Sequence, residues 1–275
     1  MSSSTFALKP EETLERGIRR LLEQFEAEAR RLGRPAARRR SGAVHDARVL
    51  IKRLRALVWL IRPVLGTTAG TEAKEHLRDA ARLLSQSRDA AVARTTLAEL
   101  IRQTMDDDDL RALTMAARSL RKEENALPEA PLIQAMERVC AALVPVRKQT
   151  AALAEWPLVS VRLEKALRQF RLAGKRARRT EKATAFHEWR KKSKRLLYLL
   201  EMVRLRLAKD GSDFIQRLDG LQETLGDGHD CVISRQALRR RPTEAAQRSV
   251  RLLRRREKRL EGKAQKRARR LGYLS

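Results

Sequence analysis

Two of the four histidines in the 275-residue chain head the same pattern of cations. His45-Asp-Ala-Arg48-Val-Leu-Ile-Lys52-Arg53 and His187-Glu-Trp-Arg190-Lys-Lys-Ser-Lys194-Arg195 both read His-x2-Arg-x3-Lys-Arg. On an α-helix, at about 100° per residue, positions i, i+3 and i+7 fall within roughly 60° of one another, so each copy makes a ridge of His, Arg and Lys. Arg brings a planar fork for paired oxygens, Lys a compact point charge, and His or Tyr a directional N–H or O–H. The chemistry on offer is multidentate capture of oxyanions.

The elements that must hold these ridges are amphipathic helices. Counted from His45, Arg48, Lys52 and Arg55 cluster around roughly 300°, while Leu50, Leu54, Leu57, Val58 and Ile61 centre near about 160°. Counted from His187, Arg190, Lys191, Lys194 and Tyr198 lie near about 0°, with Trp189, Leu196, Leu199, Leu200 and Val203 near about 180°. Each helix buries one face and presents a cationic one. A single such face is ordinarily just solvated surface. Its duplication points to a shared site instead.

A second anchor supports the duplication. Leu84-Ser85-Gln-Ser-Arg-Asp89 matches Leu225-Gly226-Asp-Gly-His-Asp230 at a displacement of 141 positions, against 142 for the histidine pattern. Asp89 and Asp230 read as helix N-caps, a role worth about 1 kcal/mol that is compatible with orienting a nearby basic side chain. Internal duplication of this kind predicts two similar helical units about a pseudo-twofold axis.

Along the chain the signals are helical throughout. After a loose start over residues 1–9, Pro10-Glu11 open a helix closed by Gly33, with Leu14, Ile18, Leu21, Leu22, Phe25 and Leu32 on one face. Helices follow over about 43–65, stopped near Gly66, and about 72–86; a fourth is capped by Asp89, and two more cover 110–124 and 131–154. Trp156-Pro157 marks a junction, after which helices over 159–179, 183–207 and 212–225, a short one capped by Asp230, and a last basic one from Pro242 to Arg270 complete the chain. The first helical half is thus about 10–125, the second about 156–275, with a connecting helix over 131–154.

Composition narrows the partner. The 62 Lys and Arg against 34 Asp and Glu leave a formal charge of +28, which repels itself unless polyanions surround it. With aromatics at 4% of residues, stacking platforms for single-stranded nucleic acid are poorly supplied. A ligand of phosphate alone fits better. Cys140 and Cys231 are isolated thiols that indicate neither a disulfide framework nor a zinc site. The N-terminus lacks the apolar core of a signal peptide, and the longest apolar run, Ala56 to Ile61, is too short to span a bilayer, so a soluble cytoplasmic protein without membrane contact is expected.

At this point a family resemblance becomes specific. The chain resembles the CHAD family, the conserved-histidine α-helical domains, over about residues 10–275. The likeness rests on His45-x2-Arg48-x3-Lys52-Arg53-x-Arg55, on Arg88-Asp89-Ala-Ala-Val92, on Phe186-His187-Glu-Trp-Arg190-Lys191-x2-Lys194-Arg195-x2-Tyr198-x2-Glu201, and on Leu221-Gln222-x2-Leu225-Gly226-x3-Asp230. The resemblance implies an all-α fold of two pseudo-twofold-related four-helix bundles with a basic central channel that binds inorganic polyphosphate. The channel residues it implies are His45, Arg48, Lys52, Arg53 and Arg55 in the first half, and His187, Arg190, Lys191, Lys194, Arg195 and Tyr198 in the second. Arg171 and Lys175, in an aromatic-x3-Gly-basic segment before the second ridge, are weaker additions. The first ridge lacks a match for Tyr198, and Gly228-His229 departs from the family pattern. Association with polyphosphate granules is a further expectation from the resemblance.

Catalysis is not expected. Some relatives are joined to a triphosphatase marked by Glu-x-Glu-x-Lys on a strand, whereas Glu26-Ala-Glu28-Ala-Arg30 has Arg in place of Lys and sits in a helix. The acidic run Asp106–Asp109 reads as a solvated helix start, and neither metal nor cofactor is assigned. The rival expectation is a nucleic-acid-binding protein that uses the fifteen basic residues of Arg239–Arg270 on a phosphate backbone.

Overall fold

The computed structural model describes residues 6–34, 42–85, 88–121, 130–149, 155–241 and 243–272, the side chains at 88–90, 121, 130 and 209 excepted. Among them the regular elements are all helical, as the periodicity requires: α1 (Leu14–Gly33), α2 (Ala43–Leu83), α3 (Arg88–Gln103), α4 (Asp107–Arg121), α5 (Ala130–Gln149), α6 (Pro157–Thr180), α7 (Ala183–Val203), a 3-10 turn (Arg204–Arg206), α8 (Lys209–Arg239) and α9 (Glu244–Arg269).

The chain divides into two compact units, each assembled from three segments. One comprises Met1–Leu84, Pro128–Phe170 and Lys192–Gln216; the other comprises Ser85–Leu127, Arg171–Lys191 and Arg217–Ser275. These units do not coincide with the sequential halves that the repeat suggests, because α6, α7 and α8 each supply residues to both. A repeat marks equivalent residues, but not which element closes which apolar face.

In the first unit, α1 and α2 pack against α5. Thr13 caps α1, its side-chain oxygen accepting from the Arg16 N–H at 3.3 Å, and the predicted stripe from Leu14 to Leu32 is buried. The expected loose start ends earlier than residue 9. Phe6, Ala7 and Leu8 are buried, Phe6 stacks on Phe25 with ring centroids 4.4 Å apart, and the Leu8 N–H donates to the Met202 carbonyl at 2.6 Å. Three apolar residues in a polar stretch are a weak sequence signal, yet they suffice to dock residues 6–8.

The 41-residue α2 is folded back on itself. Were it straight, Arg48 and Leu84 would stand about 54 Å apart at about 1.5 Å per residue. Instead, Arg48 Nη1 donates to the Leu84 carbonyl at 3.1 Å and Arg55 Nη2 to the Leu77 carbonyl at 2.9 Å. Both pairs are symmetric about position 66. There Gly66 takes φ 70°, ψ −180°, a combination essentially reserved for glycine, just after Pro63 has removed a backbone donor. The expected stop at Gly66 is therefore the bend of a helical hairpin.

In the second unit, α4 packs on α3 and α9 around Leu97, Leu100, Leu113, Leu120, Cys231 and Leu253. Burial pushes the Cys231 thiol up to about 12, in keeping with a small apolar core residue. One predicted boundary is overturned. No new helix starts at Asp230, which lies inside the continuous α8, so Asp230 is not an N-cap. Gly226 and Gly228 suggested a break, but each costs only about 1 kcal/mol in a helix, and a Cβ at Gly228 would make ordinary contact with Leu260 of α9 at 3.8 Å. Packing outweighs propensity here. The side chain of Asp89, the other expected cap, lies outside the described residues; α3 itself opens at Arg88.

Candidate functional site

The fold separates the predicted site residues into distinct clusters. In the first unit, the outward face of the first arm of α2 carries His45, Arg48 and Lys52, and α7 brings Lys194 within electrostatic reach of His45. Lys194 of the second ridge thus acts on the charge of His45 of the first. Partial burial holds His45 below its usual protonation range, and the charges of Lys52, Lys194 and Arg48 add to the effect against the opposing Asp46. The ring is nonetheless solvent-accessible, because His45 is exposed. An imidazole whose neighbours penalise its own positive charge marks a place where an anion is welcome.

Backbone carbonyls aim two of these cations. Arg48 reaches the carbonyl of Leu84, where α2 ends and the helix dipole is negative, and Arg55 reaches that of Leu77. The hairpin that closes at Gly66 therefore sets the direction of the ridge arginines as well as burying Leu50, Leu54 and Leu57.

Three predicted residues do something else in this unit. Arg53 is buried and pairs with Glu201 at 3.3 Å, its guanidinium 5.6 Å from the Phe6 ring centroid and 5.8 Å from that of Tyr198. Arg53 and Tyr198 are thereby parts of an internal polar and aromatic cluster. Arg195 lies 4.9 Å over the Trp59 ring and donates to Gln169 Oε1 at 3.2 Å. A second cation, Arg162, sits 3.7 Å over the same ring and donates to the Trp59 carbonyl. Neither Arg162 nor Trp59 was singled out from sequence. The signal was present, since Trp59 falls at about 320° from His45, an aromatic on the cationic side of an otherwise segregated helix.

In the second unit, His187, Arg190 and Lys191 of α7 form the other cluster. Burial lowers the His187 pKa, helped by Lys191 and Arg190. Lys191 is exposed and pairs with Glu188 at 2.7 Å, while Arg190 is buried. His229 of α8, noted only as a departure from the family pattern, packs on His187 with ring centroids 4.6 Å apart and planes inclined at 41°. Both rings line a cavity of ≈ 450 Å³ that also presents Phe186, Leu225, Glu257 and Glu261. Glu257 and Glu261 come from α9, so the cavity that His187 lines also carries carboxylates. The repeat is chemically unequal, with His45 in the more cationic setting.

Of the weaker candidates on α6, Lys175 is exposed and Arg171 half-buried. The glycine in their segment has a packing reason, because a Cβ on Gly174 would come within 3.0 Å of the buried Trp189 indole. The acidic run is also explained by structure. Asp106 and Asp109 accept from Arg248 of α9, Asp106 at 3.1 Å. Among the described residues no helix is long and apolar enough to cross a membrane.

Comparison with known proteins adds one result. The model of the CHAD domain matches residues 12–239 of the chain. No curated protein matches it.

Proposed function

The chain belongs to the CHAD domain family, and from that membership we propose that it binds inorganic polyphosphate without turning it over. The observation that carries this reading is the convergence of His45, Arg48 and Lys52 from α2 with Lys194 from α7. Arginine forks and lysine point charges on one face suit a chain of identical phosphates that offers oxygens but no bases. Arg55 extends the contact along the helix, and His187, Arg190, Lys191 and Lys175 supply a second, weaker stretch. A central channel about a pseudo-twofold axis, cytoplasmic location and association with polyphosphate granules belong to the same proposal.

Binding of this kind is dominated by counterion release. By analogy with single strands, at about −0.7 in log–log slope per neutralised phosphate, eight contacts weaken affinity by about 10³ between 50 and 200 mM salt. Titration of the purified protein with long-chain polyphosphate over that range tests the reading. A slope near zero, or phosphate release during incubation, overturns it.

A further inference from the structure

The last helix has two faces with different duties. Its inner face is fastened by arginines that each have a protein partner: Arg248 to Asp106 and Asp109, Arg256 to Glu99 at 2.6 Å, and Arg267 to the Thr224 hydroxyl at 2.7 Å. Ala246, Leu253, Ala264 and Ala268 are buried beneath it. The outer face is a ridge of Arg251, Arg255, Arg259, Lys263, Lys266 and Arg270, all exposed and spaced by three or four residues. Among the described residues no carboxylate pairs with any of these six. Like charges four apart repel, so a folded helix gains nothing by lining them up unless an external polyanion meets them. The ridge also lies beyond the residues that the family match covers.

We propose that this outer face of α9 is a docking strip for the phosphate backbone of duplex nucleic acid. From Arg251 to Arg270 the strip spans about 28 Å at 1.5 Å per residue. A duplex carries roughly sixteen phosphates over that length on two strands that wind around it, so the strip meets near-side phosphates in any register. A straight, rigid strip suits a straight, rigid polyanion, whereas a flexible polyphosphate chain would lose conformational freedom by being laid along it. The exposed residues of α9 include no aromatic to stack an unpaired base and no apolar side chain to enter a lipid surface. What remains is sequence-independent contact with a double-stranded backbone.

The test uses the full chain carrying Arg251→Glu, Arg255→Glu, Arg259→Glu and Lys266→Glu. A charge-matched control carries Arg16→Glu, Arg34→Glu, Arg138→Glu and Lys165→Glu, all exposed positions elsewhere. Anisotropy of a labelled duplex of about 20 base pairs is read beside titrations with long-chain polyphosphate and with phosphatidylserine vesicles. The strip variant is expected to lose duplex affinity about 100-fold, with a salt slope smaller by about 3–4, while the control stays within about threefold and polyphosphate binding is unchanged in both. Equal duplex losses in both variants overturn the proposal in favour of diffuse charge. So does a strip variant that loses polyphosphate or vesicle binding but keeps the duplex. If the reversals disturb the circular-dichroism melt, the same four positions changed to Gln give the same comparison with a smaller expected loss of about 10-fold.

Discussion

Lys194 of α7 bears on the imidazole of His45 of α2, two residues 149 positions apart that belong to different copies of one sequence pattern. The first unit thereby places a cation of α7 beside the cations of the α2 ridge.

Protonation and stability are linked through the two ridge histidines. His45 and His187 both titrate below the ordinary imidazole value, first because of burial and then because of neighbouring cations. Near and below about pH 6.5 the unfolded chain therefore binds more protons than the folded one. Stability is full above about pH 6.5 and declines as pH falls through that value toward the lower folded-state pKa values. A bound polyanion raises both pKa values, so binding takes up protons and tightens on acidification. Thermal melts between about pH 5 and 8, with and without polyphosphate, check both signs. A melting temperature that rises on acidification without ligand contradicts the first, and proton release on binding contradicts the second.

Arg53 predicts a stability effect where the sequence pattern suggested a binding one. Removing it leaves Glu201 half-buried without the 3.3 Å partner, so Arg53→Ala costs about 3 kcal/mol. Arg53→Met combined with Glu201→Leu restores most of that loss. Urea unfolding of the single and double variants measures it. A polyphosphate affinity that falls in the folded double variant as steeply as in a Lys52→Glu variant would instead place Arg53 in the binding surface.

Gly66 is expected to be intolerant of a side chain for a conformational reason alone. Nothing lies within 4 Å of a Cβ built there, yet φ is 70° with ψ −180°. Gly66→Ala therefore costs about 1–3 kcal/mol without a steric clash. Because Arg48 and Arg55 are aimed by carbonyls across the same hairpin, polyphosphate affinity falls with it. Denaturant unfolding together with titration reads both quantities; full stability in the alanine variant would mean that the hairpin does not depend on glycine.

Much of this was legible because helical period, glycine and proline act locally. The buried and cationic faces of α2 and α7 follow from counting, and the stop at Gly66 after Pro63 lands on the observed bend. What escaped was set by tertiary partners. Gly226 and Gly228 suggested a break before Asp230, but α9 packs alongside and α8 continues through them. Arg53 and Arg195 share a motif with Lys52 and Lys194, yet each points to an aromatic neighbour that only folding reveals. The His229 departure turns out to pack its ring against that of His187 for the same reason.

Calorimetric titration of long-chain polyphosphate into the protein and into a Lys52→Glu, Lys194→Glu variant, beside a charge-matched Arg16→Glu, Lys165→Glu control, decides whether the ridge cations hold the polyanion. A loss of about 100-fold is expected in the ridge variant and of about threefold or less in the control at equal salt. Equal losses in the two variants would contradict ridge binding.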